Sequence, residues 1–171
     1  AIQSDSSFPI DGYYVQTANI DASETASQNR GAGFDPIGDD VIAFTGNYNG
    51  SGFSIEDLTI QRPSEENVGL FGRVQGNGQL RNIDLKNAKV QGSDYVGGLA
   101  GFNDGIIRSS EVSGNVVSDE TAGGLVGWNN DGSIQASEAT GSVQGGDVGG
   151  LVGRNGFGGQ GKGIIQDSEA S

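Results

Sequence analysis

The chain has 171 residues, enough for one domain of ordinary size, and a formal charge of −13 from 9 basic and 22 acidic side chains. That charge argues strongly against a nucleic-acid partner, which needs clustered Lys and Arg, and disfavours an anionic membrane surface. There is no His, Cys or Met, so a disulfide framework, a thiol nucleophile, a Cys-type zinc site and a His-based triad are all excluded.

Glycine is abundant at 32 residues, but Pro is only 3 and apolar residues make up 33% of the chain. A flexible linker would lack the regular Val, Leu and Ile positions seen here, and collagen would need Gly at every third position. The glycines therefore mark fixed places in a folded repeat. No apolar run approaches the roughly 20 residues of a membrane span, so no membrane insertion is expected. Ala1-Ile2-Gln3-Ser4-Asp5 lacks the features of a signal peptide, and the segment reads as a mature chain or a piece of a longer one.

In chain order, residues 1–40 read as an N-terminal cap with one atypical first turn. Within them Tyr13 to Ile20 has strand composition, and Ala22 to Gly33 reads as an inserted loop tucked back by Phe34, Pro36 and Ile37. From residue 41 the chain falls into repeats of about 26 residues: 41–67, 68–95, 96–121, 122–147 and an unfinished 148–171. The word Val96-Gly97-Gly98-Leu99-Ala100-Gly101 returns as Ala122 to Gly127 and Val148 to Gly153, placing Leu99, Leu125 and Leu151 at intervals of 26. Val68-Gly69-Leu70-Phe71-Gly72 is a shortened version, and Phe44-Thr45-Gly46 reads as its remnant, Phe44 lying 26 before Leu70.

A second ladder follows each word: Ile55-Leu58-Ile60, Leu80-Ile83-Leu85, Ile107-Ser110-Val112, Ile134-Ser137-Ala139 and Ile165-Ser168-Ala170. Offsets of three, then two, describe a bend followed by an alternating strand, not a helix. The spacing predicts an all-β, right-handed parallel β-solenoid (β-helix) of about five to six coils, stacked about 4.8 Å apart. Its core should taper as Leu and Ile give way to Ser110, Ser137, Ser168, Ala139 and Ala170. Buried serine hydroxyls would need the next serine or a backbone carbonyl at the bend.

Three more rows carry candidate sites. Asn103, Asn129 and Asn155 are 26 apart, read as an amide ladder in a left-handed turn or as a polar stripe for a ligand. Phe102 and Trp128 precede the first two, with Arg154 in the third place, and read as a stacked edge or a platform for a sugar face. Asp84, Glu111, Glu138 and Glu169 alternate outward beside the core. They are read either as a solvated face or as a row in which Ca²⁺ bridges two rungs. No other cofactor is expected.

The phrases Val-Gly-Gly-Leu-Val-Gly-x-Asn and Ser-Ile-x-x-Ser-x-Ala-Thr-Gly-Ser-Val, clearest over Ala122 to Val143, resemble the GLUG-motif repeats of bacterial surface proteins. The lead-in from Tyr13 to Ile20, with Asn49 to Ile55, resembles what precedes such repeats. The pattern breaks at Phe157-Gly158-Gly159-Gln160-Gly161-Lys162. The resemblance implies a parallel β-solenoid with an extracellular accessory or adhesive role at a bacterial cell surface. It carries no catalytic residues.

Catalysis is not expected. Arg81 and Arg108 share a frame position, as a lyase base would require, but Gln135 and Gln166 replace them further on. The reading is a non-catalytic structural or adhesive module of a surface protein, adhesin or spacer. One alternative is a filament subunit stacking coil on coil, which the uneven charge opposes, with −9 on residues 1–67 and −4 on residues 68–171. Another is a polysaccharide-binding or polysaccharide-degrading β-helix. Expected partners are further repeats or another chain at the C-terminal solenoid edge, and a carbohydrate or protein ligand on the surface.

Overall fold

In the computed structural model of the protein, which describes residues 7–156 and 162–171, the chain winds as a β-solenoid whose strand pairings are all parallel. The first face stacks Tyr13–Val15, Asn47–Asn49, Gln79–Arg81, Ile106–Arg108, Ser133–Gln135 and Ile164–Gln166. After a bend, the second face stacks Ile20–Asp21, Ser54–Glu56 with Thr59–Gln61, Asp84–Gly92, Glu111–Ser118, Glu138–Gln144 and Glu169–Ala170. The third holds Glu66–Val68, Asp94–Gly97, Thr121–Gly123 and Asp147–Gly149. The fourth holds Phe71–Val74, Ala100–Asn103, Val126–Asn129 and Val152–Asn155.

Each inward column is a stack of apolar side chains, because a fixed register puts equivalent residues over one another on the pleat. Tyr48, Leu80, Ile107 and Ile134 are stacked and buried on the first face. Leu70, Leu99 and Leu125 are buried at the corner between the third and fourth faces, and Leu151 is half-buried. The inward column Ile55, Leu85, Val112, Ala139 shrinks toward the C-terminal end, as the sequence suggested. That shrinkage leaves an apolar cavity of about 170 Å³ beside Val112, Gly124, Ala139, Val143, Gly150 and Ala170.

The repeated glycine word makes a corner so tight that the third and fourth faces touch backbone to backbone. A Cβ on Gly97 would fall on the Ala100 carbonyl oxygen and within 2.7 Å of the Gly127 nitrogen. Only hydrogen fits there. The corner thereby turns the chain while passing one large side chain, Leu99 and its equivalents, into the core.

Three readings of the sequence shift. Four turns carry the complete set of strands, fewer than the five to six coils expected, because the turn before them is irregular and the last is unfinished. In that first turn Ser23–Gly31 forms a 3₁₀ segment, and Gly33 bridges Ile60. Next, Phe44 is not the remnant of the glycine word. It stacks on Val74, whereas Ile37 stacks on Phe71, so Pro36-Ile37-Gly38 fills that frame and the extra residues fall within 39–43, where a step of seven residues replaces a step of three.

The third shift concerns Ile55, which pairs with Leu85 and not Leu80, with Ile60 beside Val90. Ser51-Gly52 lengthen the second bend, and fixed offsets counted across it slip. The Phe157 to Lys162 break lies, apart from Lys162, outside the described residues.

Candidate functional site

The polar side chains that repeat along the ladder are mostly committed to holding one rung on the next. Asn103 and Asn129 are fully buried at strand ends. Asn103 Nδ2 donates to Asn129 Oδ1 at 2.8 Å, and Asn129 Nδ2 donates to Asn155 Oδ1 at 2.8 Å and to the Gly132 carbonyl at 3.1 Å. The row sits in extended backbone and not in left-handed turns; at the bend after the first face the left-handed positions include Asn82, Ser109, Ala136 and Asp167. Asn155, on the last rung, is exposed.

The serines beside that bend are used in the same way. The hydroxyls of Ser110, Ser137 and Ser168 donate to the Arg108, Gln135 and Gln166 carbonyls at 2.8–3.0 Å. In return Ser110, Ser137 and Ser168 accept from the Ile83, Ser110 and Ser137 amides of the rung before. Ile107 and Ile134 lie fully buried beneath, while Ile165 on the last rung is 37% exposed.

Phe102, Trp128 and Arg154 stack in register on the fourth face, with Arg73 completing the column. The Arg73 guanidinium lies 4.2 Å from the Phe102 ring centroid, Phe102 meets Trp128 edge-on at 5.0 Å, and Arg154 lies 5.3 Å from the Trp128 centroid. Tyr95 packs on Trp128 at 4.9 Å, and burial followed by the Asp94 charge raises its hydroxyl pKa. The aromatic faces of this column are thus taken up by one another and by guanidinium groups.

Asp84, Glu111, Glu138 and Glu169 pair rung to rung along the second face, outside the buried Leu85, Val112 and Ala139. Lys86 bridges Asp84 at 2.9 Å, and that hydrogen bond, then the Asp84 charge, raises the Lys86 pKa. Among the described residues no group of three or more acids is gathered as a metal cage.

The first face is different, and the sequence reading passed over it. Its outward columns are Tyr13, Asn47, Gln79, Ile106, Ser133, Ile164 and Val15, Asn49, Arg81, Arg108, Gln135, Gln166. They form an amide-rich strip carrying two stacked arginines. The sequence did hold the signal, since Arg81 and Arg108 share a frame position.

Residues 92–117 match the family described as the GLUG motif. Over 115 residues, 64% of this chain, the sequence is 43% identical to Halomucin of Haloquadratum walsbyi. Over 106 residues, 60% of this chain, it is 39% identical to a Gly-rich membrane protein of Evansella cellulosilytica. The matched stretches span 1% and 12% of the length of those two relatives. No solved structure matches the chain. Residues 92–117 hold the glycine corner at Leu99 and the strand through Val112, so the GLUG motif falls on one corner and one long strand of the solenoid, and the turns stacked beside it repeat that frame.

Proposed function

We propose that the segment is a non-catalytic structural module in a large extracellular protein at a bacterial cell surface, where it extends a rigid solenoid. The observation that carries this is the use of the buried polar groups. The Asn and Ser ladders are spent joining each rung to its neighbours, which suits a part whose work is to be stacked. The small share of each relative that the chain matches supports a place within a much longer array, and further repeats are the natural partners of its end rungs. The GLUG motif and the membrane protein among its relatives support a surface location. An antibody against the segment should label intact, unpermeabilised source cells, and brief external protease should remove the label. Label that appears only after permeabilisation would overturn the reading.

A further inference from the structure

We propose that the first face binds an acidic polysaccharide, a linear glycan bearing carboxylate or sulfate groups, along the strip centred on Arg81 and Arg108. The proposal rests on the extracellular reading only for access to such a polymer. The two arginines occupy directly opposed positions on adjacent strands. Like charges so placed repel, about 4.8 Å apart at the backbone. Two other arginines of this acidic chain are neutralised, Arg62 by Asp35 and Glu65 and Arg73 by Asp40. Among the described residues neither Arg81 nor Arg108 has an acidic partner.

Among the described residues Arg81 is held by one side-chain bond, from Nη2 to the Tyr13 hydroxyl at 2.7 Å, and its Nε is buried with no acceptor. The Asn47 Oδ1 on the same face is likewise buried without a donor. A bound oxyanion would relieve the repulsion and take the exposed Arg108 fork, whose planar donors match carboxylate and sulfate.

The rest of the strip selects the polymer. Gln79, Gln135 and Gln166 carry both donors and an acceptor, the pairing that sugar hydroxyls require, while Asn49 Oδ1 is already taken by the Ser51 and Asn82 nitrogens. Gln135 Nε2 already bonds Gln166 Oε1 at 3.1 Å, so these amides are ordered in a row. The ladder lies at right angles to the strands, which favours an elongated ligand crossing several rungs over a compact one. An acidic peptide would use the arginines but has little use for the amide row.

Immobilised protein should bind polygalacturonate and dextran sulfate, with uncharged dextran at least tenfold weaker and polyglutamate weaker than either glycan. The ratio between the first two distinguishes carboxylate from sulfate. Arg108→Gln is conservative for the fold, since Gln135 and Gln166 already occupy that column. It should weaken glycan binding about tenfold with an unchanged melting temperature. Lys89→Gln removes the same charge from the second face and should leave binding intact. Absence of glycan binding, equal loss in both variants, or preference for polyglutamate would each overturn the proposal, whatever surface labelling shows.

Discussion

Asn129 uses both amide hydrogens and accepts on its oxygen, at a site closed to water. Asn129→Ala strands the buried Asn103 amide and should cost about 1–3 kcal/mol in urea denaturation. Asn129→Asp should cost more at pH 7, because it loses both donors and buries a charge. Burial raises the carboxyl pKa in the folded state, so that variant should regain stability relative to wild type as the pH falls toward 4. No such recovery would mean that the site admits water. Tyr48 gives a second pH test. Burial raises its hydroxyl above the ordinary 10.0, and its partner is Gln16 Oε1 at 3.3 Å. A raised folded value means stability that is whole below pH 10 and lost as pH climbs past it. Tyr48→Phe should flatten the alkaline limb of the stability–pH curve.

At the scale of the turn, the glycine corner is the least forgiving element. Gly97→Ala drives a methyl into the Ala100 carbonyl and the next rung's backbone, neither of which can give way. Thermal unfolding should show a loss comparable to Leu125→Ala, about 2–5 kcal/mol for a buried leucine. Ala139→Val adds volume beside the tapered cavity and should stabilise by about 0.5–2 kcal/mol. These corners and columns were legible because hydrogen-bonded stacking forces equivalent residues to recur at nearly equal intervals. What escaped was wherever a turn changes length: residues 39–43 displaced Phe44, and Ser51-Gly52 displaced Ile55. A bulge at Asn87, with φ at 53°, changes the interval from 27 at Leu85 and Val112 to 26 at Ala88 and Gly114. A period counted along the sequence cannot see such slips, because extra residues loop outward without disturbing the stack. The Arg81–Arg108 strip was only half legible for another reason. Sequence shows that two residues share a frame, but only the side-chain partners show that neither has an acidic partner among the described residues.

For the molecule as a whole, the decisive quantity is a charge of −13 wrapped on a narrow stack. Chain-wide repulsion destabilises the compact state. It adds to the local repulsion of Glu111 over Glu138, which face each other on adjacent strands. The screening length shrinks from about 30 Å at 0.01 M salt to about 3 Å at 1 M. The melting temperature should therefore rise steeply over the first tenths molar NaCl and level off once neighbouring rungs no longer sense each other. Glu111→Gln combined with Glu138→Gln should raise the melting temperature at low salt and make the rise shallower. Ca²⁺ separates the two readings of the acid row. If the carboxylates are solvated individually, CaCl₂ and NaCl at equal ionic strength give the same curve. If a cation bridges two rungs, CaCl₂ gives an excess that the double variant abolishes. The row gathers no group of three acids among the described residues, which favours equal curves, and an excess would assign the row to a bound cation.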